Sequence, residues 1–179
     1  MFYIVVLAWI FLEAASAQTT WKGLRFGTSE PDVRKEYQGT LQKKLTDDGQ
    51  LALWDEDQKL LDQRATAGLH FDKSGKLAFI EVFLKNPFVS APGTSAIGKS
   101  LAIITVLGEN LAEKYGKPIT EEGECRVTAG EVVSSAPETI FTCKKMWKSE
   151  GQTINLFWSI DNQRLSYYGL LYKPLPSDI

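Results

Sequence analysis

The stretch GTSAIGKSLAIITVLGENLAEKYGKP, residues 93–118, contains the longest and most apolar helix that the sequence predicts. Its apolar residues recur at helical spacing and leave only a narrow polar edge, which is typical of a buried helix. Thr94 or Ser95 can cap its start. Gly116 supplies the left-handed residue that ends a helix, and Pro118 prevents continuation. We therefore expect one long helix here, around which the rest of the chain is organised.

The same stretch matches a phosphate-binding loop, with the residues of the motif at Gly93, Gly98, Lys99 and Ser100. In such proteins, backbone amides at a helix N-terminus hold the phosphates, and an acid after an apolar strand, here Asp161, helps to hold magnesium. That fold requires a parallel sheet, and the prolines just before the loop suit a buried central strand badly. Helix punctuation is therefore our main interpretation, and nucleotide binding is the alternative.

Residues 1–17, MFYIVVLAWIFLEAASA, have the pattern of a secretory signal peptide. An apolar core ends in Ala15-Ser16-Ala17, the small-x-small pattern of a cleavage site. Because this core is shorter than the ~20 apolar residues that span a bilayer, we expect no stable membrane insertion after signal removal. The sequence thus predicts a secreted or periplasmic protein, and an N-terminal helix or anchor is the alternative.

Composition limits the function of the chain. Its charge is nearly balanced, with 20 Lys and Arg against 22 Asp and Glu, which disfavours nucleic acid as a partner. Cys125 and Cys143 are the only cysteines of a chain that we expect to be exported, so we predict one disulfide; two buried thiols are the alternative. His70 is the only histidine and no Cys-x-x-Cys occurs, so we expect no metal and no cofactor.

Two stretches predict β-hairpins, residues 69–84 and residues 154–172, with turns that Asp72 and Asp161 open. Residues 40–65 predict one or two strands, with a break at 47–49 and a solvated turn at Asp55-Glu56-Asp57. Weaker patterns predict a strand at 21–27, a helix that Ser29 caps and that ends near Tyr37, a strand near Val127 and a strand at 139–145.

The two hairpins resemble each other, since residues 76–85 align with residues 164–173 and nearly every residue class is retained. We interpret this as a duplication, and chance similarity between alternating strands is the alternative. The predicted fold is therefore α+β. It consists of two similar helix-plus-antiparallel-sheet units, residues 18–92 and 93–179, with the helices packed on one face of the sheet.

Side chains with catalytic potential are few. His70 lies mid-strand and no G-x-S-x-G motif accompanies it, so we interpret it as a strand residue at the sheet surface. The acidic runs at 55–57 and 121–124 lack the spacing of a calcium site, and solvated turns are the main interpretation. A secreted hydrolase with a carboxylate pair is a further alternative.

Aromatic residues near the end of the chain form the candidate binding surface. Exposed Tyr and Trp on a sheet are common anchors of protein interfaces. Tyr167 and Tyr168 point to opposite faces of a strand, so one of them is exposed unless both faces are covered. The candidates are Trp158, Tyr167, Tyr168 and Tyr172.

Two short patterns resemble those of small exported bacterial proteins. They are Trp21-Lys22-Gly23-Leu24-Arg25-Phe26-Gly27-Thr28-Ser29-x-x-x-Val33 and Leu111-x-x-x-Tyr115-Gly116-Lys117-Pro118. They are similar to helix entries and exits in the outer-membrane-assembly small lipoproteins and the tandem-repeat β-lactamase-inhibitor proteins. The resemblance implies helices on one face of an antiparallel sheet, and binding of proteins rather than catalysis.

These patterns together predict a non-enzymatic binding protein. Its expected partner is a protein or a cell-envelope component. We expect the partner to contact an aromatic sheet surface or the seam between the two halves.

Overall fold

The computed structural model describes residues 21–46, 49–60, 63–85, 94–135, 139–161 and 164–175, with main chain only at 94–96, 164, 166 and 167. The predicted signal peptide lies outside these residues. The described helices are α1 (Glu30–Glu36), α2 (Thr94–Tyr115) and α3 (Ala129–Ser134), and a 3₁₀ turn, Trp21–Gly23, precedes them. The strands are β1 (Gln42–Leu45), β2 (Leu51–Leu60), β3 (Gln63–Phe71), β4 (Leu77–Leu84), β5 (Thr120–Gly123), β6 (Phe141–Ser149), β7 (Gln152–Asp161) and β8 (Arg164–Pro174).

The described strands form one eight-stranded sheet in the order β1-β2-β3-β4-β8-β7-β6-β5. Each neighbouring pair is antiparallel. The first four strands and the last four each run as a meander, and the two meanders meet where Ile80–Phe83 of β4 pairs with Gly169–Tyr172 of β8. The predicted mixed fold with an antiparallel sheet is therefore confirmed, as are both hairpins.

One hydrophobic core contains side chains from both meanders and from all three described helices. Because side chains alternate along a strand, the core takes every second residue of each central strand. The strands contribute Leu53, Leu69, Ile80, Val82, Ile154, Leu156, Ile160 and Leu170, among others. The helices contribute Val33, Ile97, Ile104, Leu107, Leu111 and Val132.

The helix predicted from the opening stretch is confirmed as α2. It includes both Thr94 and Ser95, so it starts earlier than a cap at either residue allows. Its end is as predicted: Gly116 has φ of 82°, and its amide donates to the Ala112 carbonyl at 2.9 Å. The Gly116 carbonyl accepts from the Trp147 indole at 2.9 Å, which ties the end of α2 to β6. Among the described helices, none has the length and apolar character that a membrane crossing requires.

The start of the chain departs from the predicted strand at 21–27. Residues 21–23 form the 3₁₀ turn, and Lys22, Gly23 and Gly27 have φ of 57°, 77° and 82°. Positive φ is incompatible with an extended strand, so alternation of apolar residues was misleading here. The helix after it is confirmed, since the Ser29 side chain accepts the Asp32 amide at the start of α1.

The strand expected near Val127 is also wrong. That residue lies between β5, which ends at Gly123, and α3. A capping box starts α3, because the Thr128 hydroxyl accepts the Glu131 amide and the Glu131 carboxylate accepts the Thr128 amide. The capping box therefore stabilises a helix after Val127, although the β-branched residues of this segment favour a strand.

Asp55-Glu56-Asp57 does not form the expected solvated turn. These acids lie within β2, where the pairing with β3 shifts between Asp55 and Gln58 as at a β-bulge. Asp55 is only 2 % exposed. The chain therefore continues as a strand through the most acidic part of the sequence.

The predicted disulfide is confirmed between Cys125 and Cys143, which are 18 residues apart. It ties the segment after β5 to β6. We predict that reduction lowers the free energy of unfolding by about 3 kcal/mol, because a loop of this length gains that much chain entropy when opened. Urea unfolding with and without dithiothreitol measures this. A Cys125→Ala, Cys143→Ala double variant should have the urea midpoint of the reduced protein in both conditions. A native urea midpoint that does not change on addition of dithiothreitol would contradict the prediction.

Helix α2 contains two interior glycines with room for a methyl group. A Cβ added at Gly98 would lie 3.7 Å from the Ala129 Cβ, and one at Gly108 would lie 3.4 Å from Leu156 Cδ2. Because Ala is the better helix former, Gly98→Ala and Gly108→Ala should each raise the free energy of unfolding by about 0.5–1 kcal/mol. Gly116→Ala is the matched control and should destabilise, since φ is positive there. Urea midpoints test all three variants. A lower midpoint for Gly98→Ala or Gly108→Ala would show that the helix is packed too tightly there to accept a methyl group.

Candidate functional site

The sheet face that points away from the core carries a run of aromatic side chains, which we call the aromatic face. Strand alternation places them there. His70, Phe83 and Phe157 each lie between two core residues, Trp54 lies between Leu53 and the buried Asp55, and Phe79 precedes the core residue Ile80. The aromatic face comprises Trp54 of β2, His70 of β3, Phe79 and Phe83 of β4, and Phe157 of β7. The tryptophan and the three phenylalanines are half-buried, whereas His70 is buried, with 7 % of its surface exposed.

The rings of the aromatic face contact one another from β2 to β7. The His70 imidazole stacks on Phe79 at a centroid distance of 4.2 Å and meets Trp54 edge-on at 5.5 Å. Trp54 lies nearly parallel to Phe83 at 6.4 Å, and Phe83 meets Phe157 at 6.3 Å. These separations are those of interacting aromatic pairs. The result is a continuous apolar strip across the sheet.

Two glycines let these rings lie close to the backbone. A Cβ on Gly68 would come within 2.9 Å of two Trp54 ring atoms. A Cβ on Gly169 would come within 3.3 Å of Phe157 Cζ and within 2.3 Å of the Val82 carbonyl oxygen. The rings therefore cover bare main chain, which is how aromatic side chains compensate for glycine in a sheet.

A polar pair is set into the aromatic face. His70 Nε2 and Glu81 Oε1 are 2.7 Å apart, and Glu81 lies opposite Gly68 in the strand register. Their side chains are 9 % and 16 % exposed, so this bond forms largely out of water. The bond and the flanking rings together fix the plane of the imidazole. His70 therefore lies within a strand on one face of the sheet, as expected, and its neighbours leave it only 7 % exposed.

A cavity of about 460 Å³ opens beside this pair. Its lining residues are Lys44, Leu45, Thr46, Trp54, Glu56, Thr66, His70 and Glu81. Lys44 Nζ donates to Glu56 Oε1 at 2.8 Å, and this bond lowers the pKa of Glu56. Lys173 Nζ of β8 lies 5.8 Å from the centroid of the Phe79 ring. The aromatic face thus has an apolar centre and a charged margin.

Asp55 points to the core face and is the hub of a buried hydrogen-bond cluster. Its carboxylate accepts from the Tyr37 hydroxyl at 2.9 Å, from the Asp57 amide at 3.0 Å and from the Gln58 side chain. Lys22 donates to Gln58 in turn. Because a buried carboxylate is stable only when it is hydrogen-bonded, this cluster ties the end of α1 to the bulge of β2.

The described residues do not form the geometry of a phosphate-binding loop. Gly98, Lys99 and Ser100 lie inside α2, beyond the first four amides that a helix leaves free for phosphate. Ser100 is 1 % exposed. The sheet is antiparallel, and Asp161 ends a strand of it. Gly93 lies outside the described residues.

The predicted binding surface requires a correction. Trp158, Tyr168 and Tyr172 lie on the core face and are 4 %, 3 % and 7 % exposed. The reason is alternation, since they share their face with Leu156 and Leu170. Tyr167 pairs with Ser159 through its main chain, and its side chain is not among those described.

Sequence reasoning missed the aromatic face itself. In β4, Phe79 and Phe83 alternate with buried Ile80 and Val82, so the strand is apolar on both sides. The available signal was Glu81. It lies two residues from each phenylalanine, so it is on the same face of the strand, and a charged residue indicates that this face is the less buried one. A charged residue among aromatics was therefore the clue to the face.

The acidic runs do not assemble into a site. Asp55 and Glu56 point to opposite faces, as successive strand residues do. Glu121 lies 3.3 Å from Lys145 and 3.9 Å from Arg126, so it is an ion-pair partner. Among the described residues, no group of three or more His, Cys, Asp or Glu could hold a metal ion.

Comparison with known proteins offers no relative from which a function could be transferred: no family model, curated protein or solved structure matches this chain.

Buried tyrosines predict a loss of stability at alkaline pH. Burial raises the pKa of Tyr168 to about 12 and also raises that of Tyr172; burial and then the Asp55 carboxylate raise that of Tyr37. The unfolded chain releases these protons near pH ~10, so stability is complete below about pH 10 and falls as the pH rises from there. The urea midpoint should therefore drop between about pH 10 and pH 12.

Tyr168→Phe is the control for this prediction. Among the described residues the Tyr168 hydroxyl has no hydrogen-bond partner, so the variant removes a titrating group without removing a bond. It should show a smaller alkaline drop than the native chain and equal or higher stability at neutral pH. A native midpoint that is constant over this pH range would refute the tyrosine linkage.

Proposed function

We propose that this chain is an exported, non-enzymatic binding protein and that its aromatic face contacts a protein partner. The observation that carries the proposal is the continuous strip of half-buried rings from Trp54 to Phe157, on the side of the sheet away from the core. Contiguous apolar surface on a folded protein marks interaction sites. Aromatic residues with a charged margin are the usual anchors of such interfaces.

Export is supported by two features. Residues 1–17 have a signal-peptide pattern, and the Cys125–Cys143 disulfide is compatible with an oxidising compartment. The proposed location is the periplasm or the extracellular medium, where the aromatic face would meet a protein or a cell-envelope component.

We infer further that the chain consists of two similar units, residues 18–92 and 93–179, whose helices pack on one face of the sheet. The element order supports this, since each half begins with a described helix and contributes four strands of one meander, with α3 as an additional helix between β5 and β6 in the second half. Buried residues of the helices join the core cluster, and Gly108 of α2 faces Leu156. On this view the seam between the halves, one of the binding surfaces expected from the sequence, crosses the aromatic face between Phe83 and Phe157.

Photo-crosslinking tests the proposal. A photoreactive phenylalanine analogue is placed at position 79, 83 or 157, and the chain is produced in its own organism. The control positions are Lys73, in the turn before β4, and Val106, which is 47 % exposed on α2. We expect one crosslinked protein that is common to the three aromatic-face positions and absent from both controls.

Substitution of the rings then measures their contribution. Phe83→Ala and Phe157→Ala should weaken binding of the purified crosslinked protein at least about tenfold, whereas Lys73→Ala should not. Circular dichroism checks that each variant is folded. A crosslinked species that resists protease would show that the partner is an envelope component other than a protein. Crosslinking only at Val106 would refute the aromatic face as the site.

A further inference from the structure

The two edges of the described sheet carry opposite charges. The edge strand β1 contains Lys43 and Lys44, and the edge strand β5 contains Glu121 and Glu122. We propose that a second copy of this chain adds to the sheet edge to edge, with β1 of one copy against β5 of the next. Opposite charges across antiparallel strands are stabilising and like charges are destabilising, so this pairing is favoured over β1 with β1 or β5 with β5.

Strand direction permits this contact without turning the second copy over. Neighbouring strands are antiparallel throughout the eight, so the first and last in the sheet order run in opposite directions. A copy that is displaced sideways along the sheet therefore brings its β5 antiparallel to β1. The aromatic faces of the two copies then lie on the same side of one continuous sheet.

Hydrogen-bond alternation indicates which residues of β1 are available. The Thr46 amide donates to the Gln50 carbonyl at 2.9 Å, just beyond the register of β1 with β2. Bonded pairs in an antiparallel ladder recur at every second residue, so Lys44 also bonds toward β2. The main-chain groups of Lys43 and Leu45 consequently point out of the sheet.

The same rule applies to β5. The Glu124 amide donates to the Thr142 carbonyl at 2.8 Å, in line with the pairing of Glu122 with Lys144. Glu122 therefore bonds toward β6, and the main-chain groups of Glu121 point outward. An outward residue on one edge needs an outward residue opposite it, which places Lys43 of one copy against Glu121 of the next.

This register also brings exposed apolar residues together. With Lys43 opposite Glu121, Leu45 falls at the level of Ile119, at the same end of the joined edges. Leu45 is 70 % exposed and Ile119 is 56 % exposed, and they are among the few large apolar side chains that are so exposed in the described chain. The Ile119 amide donates to the Met146 carbonyl of its own chain at 2.7 Å, so Leu45 and Ile119 meet through their side chains only. Main-chain bonding at Lys43 and Glu121 together with this apolar pair defines one specific contact.

Ion pairs within the chain compete with this contact. Lys43 Nζ lies 3.9 Å from Glu30 and Lys44 Nζ lies 2.8 Å from Glu56, while Glu121 pairs with Lys145 and Arg126. Such exposed pairs are weak and can be exchanged. Four residues on each edge also make a small interface, so the association is transient and weakened by salt. Because each copy keeps one unused edge, longer chains of copies form as the concentration rises.

Sedimentation velocity of the purified protein tests the contact. At about 20 mM salt the weight-average sedimentation coefficient should rise with protein concentration up to about 300 μM, and at about 0.5 M salt it should stay near the monomer value. A monomer at every concentration in low salt would overturn the proposal.

Charge exchange gives the sharper test. Lys43→Glu and Glu121→Lys should each be monomeric alone, and an equimolar mixture should associate again because every contact between unlike variants pairs opposite charges. Lys73→Glu, which makes the same charge change in the turn before β4, should associate like the native chain, and so should Phe157→Ala on the aromatic face. Circular dichroism confirms folding. Association of either edge variant alone, or a mixture that stays monomeric, would overturn the contact.

Discussion

The pairing of β4 with β8 is the constraint on which the rest of the structure depends. In the described chain it is the place where the first four strands bond to the last four. Gly169 permits it, because a Cβ there would lie 2.3 Å from the Val82 carbonyl oxygen. The same glycine leaves space in which Phe83 and Phe157 meet above the sheet. The lack of a side chain at Gly169 therefore allows both the pairing of the two meanders and the contact that continues the aromatic face.

Local rules decide much of this fold, and those parts were predictable from the sequence. Capping by Ser29, the left-handed Gly116 and the turn at Asp72 each act over a few residues, so their patterns can be recognised without the structure. Contacts between distant residues decide the remainder. Asp55 lies in an acidic run that is typical of a solvated turn, yet Tyr37 and Gln58 bury it within β2. The order of the strands likewise depends on the β4–β8 pairing, for which no short pattern exists.

The candidate site was less predictable than the fold. Strand β4 carries large apolar residues on both faces, so its composition cannot tell which face belongs to the core. Trp158 and Tyr168 looked like surface anchors but complete the core, whereas Phe157, one residue away from Trp158, belongs to the aromatic face. A difference of one residue reverses the assignment of a strand side chain. Only the position of the core resolves it.

The order of the strands has a consequence for how the protein is made. Because synthesis starts at the N-terminus, the growing chain contains β4 well before β8 has been made. During that interval β4 is an unpaired edge with apolar side chains on both faces, which is the kind of strand that templates non-native association. The finished protein has only its short, charged strands β1 and β5 at the edges of the described sheet. The half-made chain is thus the more vulnerable species, and a chain that is held unfolded until it is complete never exposes that edge in a folded form.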